Sequence, residues 1–358
     1  VAAGSIFADF PNGATWMSHV WQVIRPKTVP NWFRGVGPSG QLSGVNCQFV
    51  TGSQDVGGQI HYYMESQTCL ALPGEEEQML LRSSTQDSNQ VQGGVAGVLS
   101  LPMNKVDVRI KRIGGGYGGK CNSPTFVAIA AALAASKHNC AVRLAVKREV
   151  DSLMFGHRHP GHADFTVAIG DGSDNPANKG KLVGLQNNFL LNGGWTYDCS
   201  LIVSDCLQLR VDSAYYVPNY GTSSDVCQTN MASNTAFRTM GLIQGILMQE
   251  EAIEAAAHQI GMLPEDVRGK NIYQEGQLTP FGQVLTDCYM QRVFDYTRSK
   301  YDFDHRLASA QAFNAQNKWR KRGISLIPVK YGSGFNLPML EQAGALVEVF
   351  DGDGRFLA

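Results

Sequence analysis

Val106-Asp107-Val108-Arg109-Ile110-Lys111-Arg112-Ile113 runs directly into Gly114-Gly115-Gly116-Tyr117-Gly118-Gly119-Lys120. Val106, Val108 and Ile110 alternate with charged residues, the period of a strand with one buried face. The glycines at 114, 115, 116, 118 and 119 then leave bare backbone whose N–H groups can approach a ligand closely. Asn122, Ser123 and Pro124 offer a capping side chain and a first-turn proline, and Thr125 to His138 reads as an alanine-rich helix. A strand, a glycine turn and a helix start in that order suit an anion or an electronegative ligand.

Three readings compete for the turn. Gly114, Gly116 and Gly119 fit a dinucleotide fingerprint, which would make the chain a nucleotide-binding dehydrogenase. Against it, the preceding strand carries Asp107, Arg109 and Lys111, whereas a Rossmann first strand is apolar on both faces. The acid that should follow about 20 residues on has its nearest counterparts in Glu149 and Asp151, too far along the chain. Gly114 and Gly119-Lys120 also fit a phosphate loop, but the magnesium-holding hydroxyl is replaced by Cys121, a soft sulfur unsuited to that cation. The ATPase reading is therefore rejected. The third reading is a turn that only lets a helix pack tightly on a strand.

The chain of 358 residues has room for two domains, and 43% hydrophobic with 17% charged residues is an ordinary globular balance. A net charge of −1 predicts no pull toward nucleic acid or an anionic membrane. The basic run Lys318-Trp319-Arg320-Lys321-Arg322 reads as a solvated helix end. Eight cysteines, at 47, 69, 121, 140, 199, 206, 227 and 288, contain no CxxC pair, which argues against a zinc ribbon or redox dithiol. Reduced, mostly buried thiols in the cytoplasm are expected, with no signal peptide or membrane span. Val1 is not a methionine, and Asp351-Gly352-Asp353-Gly354 reads as a hairpin turn awaiting a returning strand, so a longer polypeptide is expected.

Along the chain, strands are expected at Gln48 to Gln54, Gln59 to Ala71 and Met79 to Ser84, the last closed by the polar stop Ser84-Thr85-Gln86-Asp87. A helix should cover Gln90 to Leu99 and a strand Ala141 to Val146. The histidines of Gly156-His157-Arg158-His159-Pro160-Gly161-His162 read as a hydrogen-bonded turn, not a metal site. Phe165 to Ile169 and Leu182 to Leu190 should form a long hairpin. Helices follow at Ser200 to Ala214, at Leu242 to Ile260 with Glu250, Glu251 and Glu254 on its wet side, and from Pro264. A helical stretch spans Thr286 to Asn317, and strands return at Ile324 to Tyr331 and Ala345 to Phe350. The fold class is α+β, mixed sheets with packed helices.

Several of these segments together resemble the molybdenum-binding region of the xanthine dehydrogenase and aldehyde oxidase family, the molybdenum hydroxylases. They are Gly57-Gly58-Gln59 with Tyr63 to Gln67, Ser84-Thr85-Gln86, Ile113 to Lys120, His157 to Pro160, Ser233 to Arg238, Arg268 to Asn271, Lys321-Arg322-Gly323 and Glu341 to Ala345. The resemblance implies a connecting segment at 1–42, a first molybdenum-cofactor-binding domain at 43–280 and the start of a second at 281–358. It implies a molybdenum–molybdopterin centre, with iron–sulfur clusters and FAD elsewhere in a full-length protein, commonly a homodimer. Gln86 would offer its amide to a metal ligand, and Tyr117 and Arg238 would bring their backbone beside the metal. Gly115, Gly116 and Gly118 would cradle the cofactor.

Other matched positions depart from the family pattern. Cys121 and Cys206 stand where purine-oxidising members carry a glutamate and an arginine. Met240 replaces a packing aromatic ring, Phe335 matches a second ring, and Asn336 stands where a threonine is usual. Without partners shaped for a polar ring, aldehydes or N-heterocycles are the expected small-molecule substrates and xanthine oxidation is expected to be weak. Purine oxidation, a diverged relative with lost activity and a non-catalytic binding relative are the alternatives. The family's general-base glutamate is expected beyond residue 358, so this chain by itself should neither retain molybdenum nor turn over substrate.

Overall fold

The computed structural model describes residues 23–24, 39–332, 334, 343–349 and 356–357. In chain order its elements begin with β1 (Val23–Ile24), β2 (Ser39–Leu42), β3 (Val45–Val56), β4 (Thr68–Pro73), β5 (Met79–Ser83), α1 (Ser88–Leu99), β6 (Val106–Arg109) and α2 (Pro124–His138). They continue with β7 (Val142–Ala145), α3 (Arg148–Met154), β8 (Gly161–Gly170), β9 (Leu182–Gly194), α4 (Ser200–Gln208), β10 (Asn219–Gln228), α5 (Leu242–Gln259) and α6 (Pro264–Asn271). The last are α7 (Met290–Lys300), α8 (Phe303–Gln316), β11 (Glu348–Val349) and β12 (Phe356–Leu357).

Two mixed sheets carry the site. The larger has the order β1-β10-β9-β8-β3-β2, and the smaller has the order β6-β5-β4-β7. In the larger sheet β3, β8 and β9 are antiparallel neighbours, whereas β10 runs parallel to β9. α5 packs on β3 and β8 and α4 on β10, closing a core that includes Phe165, Ile169, Leu185, Leu191, Leu207 and Met248. In the smaller sheet β5 and β6 are parallel, so the chain leaves both at the same end. α2 lies on β4 and β7, with α1 beside it.

Alanine is what lets α2 sit so close. Ala128, Ala131, Ala132 and Ala135, at helical spacing, are all buried against β4 and α1, and short side chains allow a near approach. The two helices touch where a Cβ on Gly94 would lie 2.4 Å from Thr125 Cγ2.

The strand at Met79 to Ser84, the helix at Gln90 to Leu99 and the alanine-rich helix form as expected, and Phe165 to Ile169 pairs with Leu182 to Leu190 within the longer β8–β9 hairpin. β12 supplies the returning strand, antiparallel to β11. Other expectations are overturned. Strand pairing begins only at Thr68, not Gln59, because residues 57–67 bury His61, Tyr63 and Gln67 against the glycine turn while Ile60, Tyr62 and Met64 face solvent. That alternation mimics a strand.

β10 has no counterpart in the sequence reading, because three of its buried residues, Tyr220, Thr222 and Ser224, carry hydroxyls beside Val226. Ser204 Oγ donates to Ser224 Oγ at 2.9 Å across the α4–β10 contact, which satisfies Ser224, whereas the buried Thr222 Oγ1 has no partner among the described residues. Ile324 to Tyr331 is coil, and α4 ends at Gln208, short of Ala214. Ser39–Leu42, assigned to a connecting segment, pairs with β3.

Ser123 precedes α2 with helical φ and ψ and makes no capping bond. Glu250 is on the dry side of α5. Its carboxylate takes the Tyr215 hydroxyl at 2.6 Å and Arg268 Nε at 2.7 Å, and burial raises its pKa. Among the thiols Cys47, Cys69 and Cys206 are buried, Cys140 is exposed, and the other four lie between, none in a disulfide. Three fully buried thiols of eight fall short of the expected majority. Lys318 to Arg322 are exposed, in coil after α8. Among the described residues no helix is long and apolar enough to cross a membrane.

Candidate functional site

The site forms where the chain leaves the parallel pair β5 and β6. After β5, Thr85 is buried and donates from Oγ1 to Lys120 O at 3.2 Å, and the Gln86 N–H donates to the same carbonyl at 2.7 Å. Asp87 then turns the chain into α1, its Oδ1 accepting the Gln90 N–H at 3.0 Å. The polar stop is thus a helix cap as well as a site edge.

Past β6, residues 114–120 fold back onto the Gln86 side chain. Gln86 Oε1 accepts the N–H of Gly118 at 2.9 Å and of Lys120 at 3.3 Å. A Cβ on Gly116 would lie 2.4 Å from that oxygen, and one on Gly118 would lie 2.2 Å from Ala236 O. Gly118 also has φ +100°, so both position and conformation require glycine. Tyr117 is left-handed at φ +55° with its side chain 46% exposed.

Glu65 and Lys120 hold the ends of the turn. Glu65 Oε2 accepts the Gly114 N–H at 2.9 Å, the Ser84 hydroxyl at 2.7 Å and Lys120 Nζ at 2.9 Å. The Lys120 ammonium has no exposed surface and lies 4.7 Å from the centre of the Tyr63 ring. Burial lowers its pKa. Burial alone would raise the Glu65 carboxyl, but Ser84, Gly114 and Lys120 together hold it below the usual range. A phosphate loop needs a lysine free to reach phosphate. Lys120 is committed to Glu65 and Ser84, which is a second ground against that reading.

A third segment closes the site. The Arg238 N–H donates to Tyr117 O at 2.8 Å, and the Arg238 side chain is exposed. The Phe237 ring stacks on His61 at 4.5 Å between centroids, and His61 Nε2 bonds Ala236 O at 2.8 Å. Burial pushes the His61 pKa down to about 4, so it stays neutral. Arg158 sits over Phe237, 4.2 Å from the ring centre. The histidine turn behaves as read: His157 Nε2 bonds Ser152 O at 3.0 Å and His159 Nε2 bonds Ser200 Oγ at 2.8 Å.

The structure therefore gathers Gln86, Gly115, Gly116, Tyr117, Gly118 and Arg238 into one edge. Cys121 is next to it, half-buried, its N–H on Gly118 O at 3.2 Å and its thiol pushed by burial up to about 11. Cys206 is buried at 2% exposure on α4, and Met240 packs against the core of the larger sheet. Phe335 and Asn336 lie outside the described residues. Sequence reasoning did not single out His61, Arg158 or the Glu65–Lys120 clamp. The one available sign was an arginine inside a turn whose histidines were expected to be bonded inward.

Among the described residues no three His, Cys, Asp or Glu side chains could together hold a metal ion. The groups that converge are a carboxamide, backbone amides and bare glycine. Gln86 Oε1 is engaged, whereas its Nε2 makes no hydrogen bond among the described residues and the side chain is exposed. The amide orientation follows from these bonds. Such a donor set fits a metal carried by an organic cofactor rather than one ligated by side chains.

Residues 39–272 and 296–358 each match a molybdopterin cofactor-binding domain family. The chain is 39% identical over 309 residues to a xanthine dehydrogenase/oxidase of Gallus gallus, covering 86% of this chain and 22% of that protein. It is 37% identical over 311 residues to aldehyde oxidase 2 of Macaca fascicularis, covering 87% of this chain and 22% of the relative. It is 35% identical over 316 residues to a nicotinate hydroxylase of Emericella nidulans, at 87% and 23% coverage. The fold matches the aldehyde oxidoreductase of Desulfovibrio gigas with a TM-score of 0.69 at 21% identity, over 82% of this chain and 30% of that one. It also matches a Cu,Mo-CO dehydrogenase with a TM-score of 0.68 at 18% identity, over 83% and 36%. The chain thus spans less than a quarter of the length of these curated relatives, and within that span its paired cofactor-binding domains make it a member of the molybdenum hydroxylase family.

Proposed function

We propose that this chain is the molybdenum-facing part of a larger hydroxylase that oxidises aldehydes, or N-heterocycles, in preference to purines. The observation that carries the reading is the meeting of three segments at one edge: the Gln86 carboxamide, the Tyr117–Gly118 peptide and the Arg238 backbone. When bound, the molybdenum–molybdopterin centre supplies a two-electron oxidant and a water-derived oxygen. The chain's own residues position it. Gln86 presents an unshared N–H pair, Gly116 and Gly118 let the turn close onto the Gln86 carboxamide and the Ala236 carbonyl where a Cβ would clash, and Arg238 places a cation at the rim.

Substrate preference rests on Cys121 and Cys206. A thiol whose pKa burial pushes up to about 11 is neutral at physiological pH and a weak donor. It offers a purine neither the charge nor the paired hydrogen bonds of a carboxylate, a loss on the order of ten-thousand-fold in discrimination when a site is built for them. An aldehyde carbonyl needs no such pair. We place the first cofactor-binding domain at 39–280, β2 included, and the start of the second at 281–358, in a polypeptide that also carries iron–sulfur clusters and FAD and assembles as a homodimer. The test is metal analysis of the longer polypeptide, followed by turnover of an aromatic aldehyde against hypoxanthine. Stoichiometric molybdenum with the aldehyde strongly favoured is the expected result. Hypoxanthine turned over as fast as the aldehyde rejects the preference, and absence of molybdenum rejects the whole reading.

A further inference from the structure

Arg158 is 5% exposed, yet no described carboxylate pairs with it, and burial is the one influence on its ionisation. Its donors go to neutral oxygens: Nε to Gln59 Oε1 at 2.9 Å, Nη2 to Arg238 O at 2.8 Å and Nη1 to Phe237 O at 3.3 Å. A buried cation without an anion is costly, and its persistence calls for a use.

The geometry points to Arg158 as a positioning residue that polarises the Gln86 carboxamide through two intervening peptide units. Phe237 C=O and Arg238 N–H belong to one peptide. The guanidinium donates to the first, and the second donates to Tyr117 O at 2.8 Å. Tyr117 C=O and Gly118 N–H belong to the next peptide, and that N–H donates to Gln86 Oε1 at 2.9 Å. Each bond withdraws electron density from the donor beyond it, strengthening the next by roughly 10–30%. The chain ends at Gln86 Nε2, which becomes a stronger donor toward whatever anion or metal ligand it meets. A purely structural Arg158 would only tie Gln59 to residues 237 and 238.

The consequence for a metal rests on the proposed function, so two readouts are needed. The first requires no metal: hydrogen exchange of single amides in the isotope-labelled longer polypeptide, comparing the parent with R158Q and R158K. The Arg238 and Gly118 amides, inside the relay, should exchange about twofold faster in R158Q and less so in R158K, which keeps the charge. The Gly119 amide, bonded to Gly116 O at 2.9 Å outside the relay, should be unchanged. Equal acceleration of all three, or of none, overturns the relay. The second readout is the reduction potential of the bound molybdenum in R158Q, Q86L and the double variant. R158Q should shift it to more negative values, and in the Q86L background it should add nothing. The same shift in both backgrounds, or no shift in either, overturns it. Parent protein without molybdenum removes the proposed function while the exchange result still judges the relay.

Discussion

The Lys120 ammonium, on a side chain with no exposed surface, lies 2.9 Å from Glu65 Oε2, the same oxygen that takes the Gly114 N–H. One carboxylate thereby fixes both ends of the glycine turn. Glu65→Gln leaves a buried cation without its counter-charge. Breaking a buried pair this way costs several kcal/mol. Because the Glu65 side chain is 39% exposed, a loss on the order of 2–3 kcal/mol in denaturant unfolding is expected. Lys120→Met, which removes the buried charge itself, should cost less than Glu65→Gln. The reverse order counts against the clamp.

Gly116→Ala and Gly118→Ala should part company. The first displaces the end of a flexible side chain, Gln86, whereas the second drives a methyl into the Ala236 carbonyl at φ +100°. Gly118→Ala is therefore expected to lower stability by about 2 kcal/mol or more, and Gly116→Ala by about 1 kcal/mol or less. Both should reduce molybdenum content in the longer polypeptide. Equal melting temperatures for the two variants contradict this geometry.

Acid should weaken the site in a defined window. The folded pKa of His61 is lowered from 6.5 to about 4, and that of His159 from 6.5 to about 3, in both cases mainly by burial. The unfolded chain binds more protons in that range, so the stability these neutral rings contribute is fully present above 6.5 and is lost as pH falls toward the folded values. Unfolding free energy measured from pH 7 down to pH 4 should drop, and His61→Gln should flatten part of the slope. An unchanged slope in that variant rules out His61 as a source.

Arg268 should be among the least replaceable residues of the chain. Its side chain has no exposed surface and pairs with Glu250 at 2.7 Å, Glu254 at 2.8 Å and Glu265 at 3.2 Å. Arg268→Met strands the two buried carboxylates and should cost roughly 3–5 kcal/mol. Glu254→Gln, at a side chain 52% exposed, should cost under about 1 kcal/mol. Urea titration of both variants checks the contrast.

The sequence was most readable where local pattern and final packing agree. The alternation of Val106 and Val108 and the alanine-rich run are found as β6 and α2 on either side of the glycine turn, whereas Ile110, read in the same alternation, is exposed beyond the strand. It misled where period two has another cause. Residues 59–67 alternate because they face the glycine turn rather than a neighbouring strand. β10 hid because Thr222 and Ser224 fill core positions that the eye assigns to apolar residues. Glu250 looked wet because its partners, Tyr215 and Arg268, are 35 and 18 residues away. Glu65 and Arg158 likewise act on Lys120 and Phe237, partners 55 and 79 residues distant. No local signal carries such pairings.

The close crossing of α1 and α2 at Gly94 and Thr125 ties the alignment of the site to a spot outside it. α1 starts from Asp87, one residue past Gln86, and α2 starts a few residues past the glycine turn. The two helices therefore act as tillers for the two halves of the edge, with one shared pivot. A methyl added at Gly94 would press on Thr125 Cγ2 at that pivot, so crowding at a spot outside the site is expected to shift how Gln86 meets Gly118.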